Sequence, residues 1–466
     1  MLGRVNKSLS LSDHRHVQLG ARALKPIRAF LGFAAILALT ACEREQDVIL
    51  PGEREDIRAV LSDDAAEVIA EAGSENLNKP VSLDAVSRNA NWVQSPASPD
   101  TRTAHPALSG SPALAWTVNI GAGDGRKNRI TADPIVVDGR VFTLDSEARV
   151  SAVSTSGQVL WSTNLVPKND SASEASGGGL AYGDGKLFIS SGFGLMTALD
   201  PETGAEIWQQ NLRATGSGDP TVRDGLVYLV AGDDVAWALE TETGRIAWRL
   251  SASPDIKNVM GGPAPAVTDK YVVFAFGSGE VQGAFRKGGL RLWDSQVAGQ
   301  RKGFSSARIG DITSDPVVVG ERIYVGTHAG RTVALNLANG ERIWTATDGP
   351  LNTIWPANDS VFFVTDRNEL VRLDAEDGSR IWAQTLPFFT KNRPRQQTEI
   401  FGHLGPIIAG NNLIVASSDG QMRLFDPANG ELRGSVAIPG GASTNPVVAG
   451  GTLYIVSTKG QLLAFR

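Results

Sequence analysis

The stretch SGDPTVRDGLVYLVAGDDVAWALETETGRIAW, at residues 217–248, contains a proline, an apolar segment, a glycine turn, an aromatic segment, an Ala-Leu segment, a Thr-Gly turn and a tryptophan, in that order. Short apolar segments separated by Asp, Gly and Thr are typical of short β-strands joined by tight turns. The stretch therefore predicts a four-stranded antiparallel unit whose last strand carries Trp248.

The same unit recurs along the chain from about residue 111. A glycine stands four residues before a tryptophan in six places: Gly157 and Trp161, Gly204 and Trp208, Gly244 and Trp248, Gly289 and Trp293, Gly340 and Trp344, and Gly378 and Trp382. A seventh unit has Gly430, but Gly434 replaces its tryptophan. A period of roughly 40–50 residues with four short strands per period indicates the blades of a β-propeller.

Counting the units predicts an all-β, eight-bladed propeller over residues 111–466. Seven complete blades open near residues 131, 177, 217, 261, 312, 354 and 403, and an eighth has only three strands before the chain ends. The strand around Trp116 has no blade before it, so we expect it to complete the last blade and close the ring, which leaves no unpaired strand edge at the seam. We interpret the tryptophans as structural wedges between blades rather than as a ligand cage: Trp116, Trp161, Trp208, Trp248, Trp293, Trp344 and Trp382.

The N-terminus has the pattern of an export signal. Six basic residues precede an apolar run of about a dozen residues at 30–41, which is too short for a membrane span of roughly 20. The run ends in Leu-Thr-Ala followed by Cys42, the only cysteine of the chain, as in a bacterial lipobox. We predict that residues 1–41 are a lipoprotein signal peptide and that Cys42 is acylated, for example with palmitate. Glu43 rather than Asp follows the cysteine, which favours sorting to the outer membrane.

Residues 42–110 differ from the repeats in composition. Charged and Ala-rich stretches are followed by Ser-Pro-Ala-Ser-Pro at residues 95–99, and such prolines interrupt regular elements. We interpret this region as a mostly extended tether that buries little surface, with Trp92 as an exception that docks on the propeller.

The composition excludes several classes of function. There are 44 basic and 50 acidic residues, and removal of the signal peptide leaves 38 against 49. Such an acidic chain does not favour nucleic acid as a partner. One cysteine forms neither an internal disulfide nor a cysteine-based zinc site. We therefore predict no metal site, no cofactor and no catalytic residue.

The repeat resembles the PQQ-like, tryptophan-docking β-propeller family over residues 111–466. One branch of this family, the quinoprotein alcohol dehydrogenases, holds pyrroloquinoline quinone against two adjacent disulfide-bonded cysteines, which this chain lacks. Another branch comprises the lipoprotein propellers of the outer-membrane β-barrel assembly (Bam) machinery. The signal, lipobox, tether and blade count resemble the second branch.

This resemblance implies a partner-binding site on two loops. In the lipoprotein propellers, a Leu-x-Leu-Arg-Gly segment contacts the POTRA repeats of the barrel-forming subunit. Lys257 falls at its first leucine here, and the four residues that follow the intervening Asn are the implied contacts: Val259, Met260, Gly261 and Gly262. The next connection of the family carries Asp-x-Asp, where this chain has Asp311 and Thr313. Asp311 is expected to be a charge at the rim of the contact.

A further loop breaks the blade spacing. Phe388 and Phe389 are followed by three cations at residues 391–395. The pattern fits an exposed interaction loop, or a plug in which the two rings close the end of the propeller, and the plug is slightly favoured.

The resemblance predicts a non-enzymatic scaffold of the Bam complex, anchored by lipid on the periplasmic face of the cell outer membrane. It would bind the barrel-forming subunit, and in addition nascent outer-membrane proteins, to promote their folding and insertion. Two alternatives stay open: a PQQ-dependent periplasmic dehydrogenase, and a propeller that binds another envelope partner.

Overall fold

The structure is a computed structural model that describes residues 76–99, 105–214, 218–253, 262–297 and 310–466. These residues form eight four-stranded antiparallel sheets, so the prediction of an all-β, eight-bladed propeller is confirmed. No helix of the described residues is long and apolar enough to cross a bilayer. Cys42, Val259, Met260 and Gly261 lie outside the described residues.

The first strand of each blade is the innermost and lines the central channel. These inner strands are mostly short: β2 (Ile135–Val137), β6 (Gly178–Gly183), β10 (Thr221–Arg223), β14 (Ala266–Val267), β18 (Val317–Val319), β22 (Trp355–Ala357), β26 (His403–Ala409) and β30 (Val447–Ala449). The second strands are β3 (Arg140–Leu144), β7 (Lys186–Ser191), β11 (Leu226–Val230), β15 (Tyr271–Ala275), β19 (Arg322–Thr327), β23 (Ser360–Val364), β27 (Asn412–Ser417) and β31 (Thr452–Val456).

The third and fourth strands extend each blade outward. The third strands are β4 (Arg149–Ser154), β8 (Leu195–Leu199), β12 (Val235–Glu240), β16 (Glu280–Phe285), β20 (Arg331–Asn336), β24 (Glu369–Asp374), β28 (Gln421–Phe425) and β32 (Gln461–Phe465). The outermost strands are β5 (Val159–Asn164), β9 (Glu206–Asn211), β13 (Ile246–Ser251), β17 (Arg291–Gln296), β21 (Arg342–Ala346), β25 (Arg380–Thr385), β29 (Leu432–Ala437) and β1 (Leu114–Asn119).

The chain closes the ring with its two ends. Strand β1 pairs antiparallel with β32 and places Trp116 opposite Ala464, so that the last blade has the order β1-β32-β31-β30. The expected completion of the eighth blade by the Trp116 strand is therefore confirmed. Closure protects the edge of β32 from pairing with another chain.

The core lies between blades. Middle strands such as β8 are buried along their whole length, because a neighbouring blade covers each face. Outer strands such as β9 are covered only at alternate residues, with Trp208 among the half-buried ones. Burial on both faces explains why the middle strands consist largely of Val, Ile, Leu, Phe and Ala.

The glycine of each Gly-x-x-x-Trp motif packs against the tryptophan of the preceding blade. Gly244 has φ +70°, and a Cβ added to it would lie 2.6 Å from the ring of Trp208. The Trp208 Nε1–H donates to the Thr241 carbonyl in the same turn, at 2.9 Å. The motif therefore combines a turn that needs positive φ with a flat seat for the indole of the neighbouring blade.

Seven indoles dock in this way. Each donates its Nε1–H to a backbone carbonyl of the following blade, at 2.9–3.3 Å, and the acceptors belong to Thr155, Pro201, Thr241, Arg286, Leu337, Ala375 and Pro427. Blades 7 and 8 meet without a docked indole, since Gly434 stands at the tryptophan position of β29.

Residues 76–99, which we call the strap, run across one face of the propeller. The strap has no regular strand, and its isolated bridges join Trp92 to Val136 and Gln94 to Ala181. It begins beside the outer strand β25, where Leu77 N–H donates to the Ile381 carbonyl at 2.9 Å. The expectation that this region buries little surface is wrong for the strap, because Gln94, Ser95 and Ala97 are buried as well as Trp92.

Candidate partner-binding face

The turns of the blades alternate between the two faces of the propeller. In a four-stranded meander, the turns after the first and third strands lie on one face, which we call the turn face. The turns after the second strand and the connections between blades lie on the other, which we call the connection face.

Gly262, Asp311 and Thr313 lie on connections between blades, and all three line one cavity of about 300 Å³ at the centre of the connection face. The structure therefore brings together the described members of the two loops.

Gly262 is held against the preceding blade by its backbone. Its carbonyl accepts a hydrogen bond from Asp219 N–H at 3.1 Å. A Cβ added to Gly262 would lie 3.3 Å from the Cα of Gly218. The two connections therefore approach closely here, and a side chain at this position would require the backbone at Gly218 to shift by a few tenths of an ångström.

Asp311 and Thr313 are anchored rather than projecting. Asp311 is only 3% exposed, so the expectation that it forms a rim charge is wrong. Thr313 donates its hydroxyl to the Pro350 carbonyl at 2.7 Å, and its N–H to the Gly326 carbonyl at 3.3 Å. These bonds tie the connection to strand β19 of blade 5 and to the connection that follows blade 5.

Three aspartates face the same cavity from equivalent positions of the repeat. Asp133, Asp219 and Asp315 each stand immediately before the proline that opens an inner strand. Asn445 binds Asp133 through its backbone N–H and its side-chain amide, at 2.8 and 2.9 Å. Asp315 Oδ1 accepts the Ala264 N–H at 2.7 Å. The carboxylates of Asp133 and Asp315 are thus structural acceptors that hold neighbouring connections around the channel.

The cavity has a strongly acidic character. Burial raises the pKa of Asp133 to about 6, although hydrogen bonds from Asn445 oppose the shift. Burial, and then the charges of Asp315 and Asp133, raise the pKa of Asp219 well above its ordinary range. Asp234 and Asp311 also line the cavity, and none of its described lining residues is Lys, Arg or His. A cationic group would be favoured there over an anionic one.

The sequence interpretation overlooked this carboxylate ring. The prolines at the start of the repeats mark where inner strands begin, and the signal that could have revealed the ring is the Asp-Pro dipeptide at residues 133, 219 and 315. The inner strands of all blades surround the central axis of the propeller. A residue type that several repeats carry at the start of the inner strand is therefore brought together with its equivalents in one cluster. Among the described residues, no group of His, Cys, Asp or Glu has an arrangement suited to a metal ion.

The strap closes the channel from the turn face. Trp92 pairs with Val136 through two backbone hydrogen bonds of 2.7 and 2.8 Å, and its ring stacks 6.4 Å from that of Trp355. Gln94 accepts the Val222 N–H at 3.1 Å. At the deepest point, Ser95 Oγ lies 3.5 Å from Asp133 Oδ2 and 3.2 Å from Asp315 Oδ2. Ser95 thereby forms the floor of the acidic cavity.

Phe388 and Phe389 do not plug the channel. They lie in a hairpin at residues 387–401 between blades 6 and 7, and Phe389 is 38% exposed. Neither ring lines the central cavity. The slightly favoured interpretation as a plug is therefore wrong, because Phe389 points to solvent and neither ring lies at the channel.

The comparisons with known proteins agree with this architecture. The profile of a family described as "Outer membrane protein assembly factor BamB" matches residues 146–384 and 389–466. The BamB of Salmonella typhimurium is 27% identical over 326 residues, which cover 69% of this chain and 80% of that protein. The crystal structure of BamB from Moraxella catarrhalis superimposes with a TM-score of 0.62 at 16% identity, and covers 76% of this chain and all of that one.

The fold is also shared with enzymes. A quinohemoprotein alcohol dehydrogenase from Comamonas testosteroni superimposes with a TM-score of 0.60 at 16% identity, over 81% of each chain. A likeness at this level of identity reports the propeller alone. The sequence profile, which matches most of the chain, makes the distinction: the chain belongs to the BamB family of outer-membrane protein assembly factors.

Proposed function

We propose that this protein is a non-enzymatic scaffold that binds the barrel-forming subunit of the Bam complex through the connection face. The observation that carries the proposal is the convergence of Gly262, Asp311 and Thr313 around one cavity of that face. The three residues come from two loops that are 49 residues apart at their closest in sequence. Membership of the BamB family supplies the assembly role.

The partner contact is assigned to the two connections around residues 259–262 and 311–313. Val259 and Met260 supply the apolar part of the contact, and apolar anchors usually carry most of the binding energy at an interface. Asp311 is buried and the Thr313 hydroxyl is bonded to the Pro350 carbonyl, so both side chains hold the second connection in place and do not face the partner. The POTRA repeats of the barrel-forming subunit are the proposed counterpart, and nascent outer-membrane proteins are additional clients.

Binding is tested by affinity capture from membranes in mild detergent, followed by mass spectrometry. We expect the barrel-forming subunit among the captured proteins, and several-fold less of it with Met260→Glu. Asp311→Arg is unsuitable as a surface variant, since a buried position would have to accept a larger charged side chain. Capture of a different envelope protein, with none of the barrel-forming subunit, would favour the alternative of an unrelated partner.

The anchor and the enzyme alternative have separate tests. We propose that Cys42 carries lipid at the periplasmic face of the outer membrane, and that Cys42→Ala releases the protein into the soluble periplasmic fraction, because several acyl chains anchor firmly. The shared fold with quinone-dependent dehydrogenases motivates a reconstitution assay with pyrroloquinoline quinone. Alcohol-dependent dye reduction in that assay would contradict the proposal that the protein is a non-enzymatic scaffold.

A further inference from the structure

The hairpin at residues 387–401 is held together by backbone pairing. Phe389 and Ile400 pair across it, and Phe401 N–H donates to the Phe388 carbonyl at 2.8 Å. Thr390 N–H donates to the Glu399 carbonyl at 3.0 Å. Residues 391–398 close the hairpin beyond this last pair.

Two buried side chains fix its base. The Asn368 side-chain amide donates to the carbonyls of Pro387 and Phe401, both at 3.2 Å. His403 Nε2 donates to the Pro387 carbonyl at 2.7 Å. Burial lowers the pKa of His403, although its bond to Pro387 opposes the shift, so the imidazole stays neutral near pH 7. The direction of the hairpin is therefore set by the propeller core.

The tip of the hairpin is basic in an otherwise acidic protein. Lys391, Arg393 and Arg395 are all exposed, and none of them has an ion pair with another described residue. Glu399 is the one acidic residue of the segment, so residues 387–401 carry a net charge of +2. Exposed charges without a local partner are available to a charged surface on another molecule.

An apolar pair lies behind the tip. Phe389 and Ile400 are 38% and 49% exposed on adjacent strands, and Phe388 packs edge-on against Phe389 with the ring centroids 4.7 Å apart. A hairpin that inserted into a bilayer would carry its apolar residues at the tip and its cations behind them. The order here is the reverse, which favours a protein surface.

The hairpin belongs to the connection face. It joins the outer strand of blade 6 to the inner strand of blade 7, as the connections around Gly262 and Asp311 join other blades. We propose that the hairpin is a second contact of this face, in which the cations meet a carboxylate-bearing protein surface and Phe389 and Ile400 cover an apolar patch beside it. The inference rests on the proposed function, with the barrel-forming subunit as the protein that provides this surface.

The test measures binding of the exported chain to the purified periplasmic part of the barrel-forming subunit, at 50 and 500 mM NaCl. The charge variant is Lys391→Glu with Arg393→Glu and Arg395→Glu. Its matched control is Arg245→Glu with Lys287→Glu and Arg291→Glu, which makes the same charge change at exposed residues beside the turn face. A second variant, Phe389→Ser with Ile400→Ser, removes the apolar pair.

We expect the charge variant to bind about tenfold more weakly at low salt, mainly through a slower on-rate, and the difference to shrink at high salt. The control should stay within about twofold of the wild type. The apolar variant should lose affinity at both salt concentrations through a faster off-rate. Melting temperatures should be unchanged, because every altered side chain is exposed.

Three outcomes are decisive. If the wild type itself does not bind, the proposed function fails. If the wild type binds and the charge variant matches the control at 50 mM NaCl, the hairpin contact is wrong while the proposed function stands. If the Cys42→Ala chain sediments with phosphatidylglycerol vesicles, and only the hairpin charge variant abolishes this, the hairpin binds lipid headgroups instead.

Discussion

At the residue scale, the repeat motif has a physical reason for each of its two fixed members. The tryptophan fills the groove between neighbouring blades, and the glycine of the next blade leaves room for its ring. Seven seats of this kind hold seven indoles, and Gly157, Gly204, Gly244, Gly289, Gly340, Gly378 and Gly430 all have positive φ. The turn needs a positive φ and the indole needs a neighbour without a side chain, and both requirements apply to the same position. Glycine is the residue that meets both, which explains why it stands at all seven positions.

The two demands on these glycines can be separated by experiment. Gly225→Ala introduces a side chain at φ +83° with nothing within 4 Å, so it should cost only backbone strain, about 1 kcal/mol. Gly244→Ala also meets the Trp208 ring, and should cost roughly 2–4 kcal/mol in total. Thermal denaturation of both variants measures the difference. Equal losses would mean that the indole shifts freely and that docking does not need the glycine.

The buried aspartates of the connection face predict a pH dependence. The pKa of Asp219 is raised by burial and by two like charges, so the fold loses stability as the pH rises from the ordinary pKa of an aspartate to this raised pKa, and the loss is complete above it. Asp219→Asn should therefore raise Tm at pH 8 by roughly 2 °C per kcal/mol relieved. The gain should narrow as the pH falls, because the native carboxyl then takes up a proton. A gain that is the same at pH 8 and pH 5 would contradict the assigned cause.

At the element scale, the strap is part of the folded unit. Arg372 is fully buried, and its guanidinium donates to the carbonyls of Lys79 at 2.5 Å and Pro80 at 3.0 Å. Ser360 Oγ and the Ala428 carbonyl accept its other hydrogen bonds. Without the strap, two donors of a buried cation would lose their acceptors, which is costly in a low-dielectric interior.

Trp92 tests the contribution of the strap. Trp92→Ala removes a ring that is 4% exposed and stacked on Trp355, and should cost about 3–5 kcal/mol. It should also accelerate tryptic cleavage after Arg88, since the strap would open locally more often. Val86→Ala, at a side chain that is 49% exposed, is the control and should change neither property. A Trp92→Ala protein with wild-type Tm and cleavage rate would show that the strap only rests on the propeller.

At the scale of the whole molecule, stability depends on closing the ring. Each blade is covered by its two neighbours, and β1 supplies the outer strand that the last blade otherwise lacks. Two truncations separate this contribution from that of the strap: deletion of residues 1–110 keeps β1, and deletion of residues 1–120 removes it. We expect the longer deletion to have the lower Tm and a stronger tendency to aggregate, because the edge of β32 becomes exposed. The same Tm for both truncations would show that β1 does not stabilise the ring by completing the last blade.

The sequence by itself determined the propeller, its eight blades and the strand that closes it, because Gly-x-x-x-Trp and the strand lengths are local signals repeated in register. It did not place the strap in the channel, since the contacts of Trp92 and Gln94 join the strap to blades 1, 2, 3 and 6, and no local pattern encodes such distant contacts. The burial of Asp311, the convergence of Asp133, Asp219 and Asp315 and the outward direction of the 387–401 hairpin were likewise decided only by the tertiary structure. Each of these features depends on which residues of separate repeats lie close together in space. The closed ring sets the distances between those residues, and no single segment of the sequence does so.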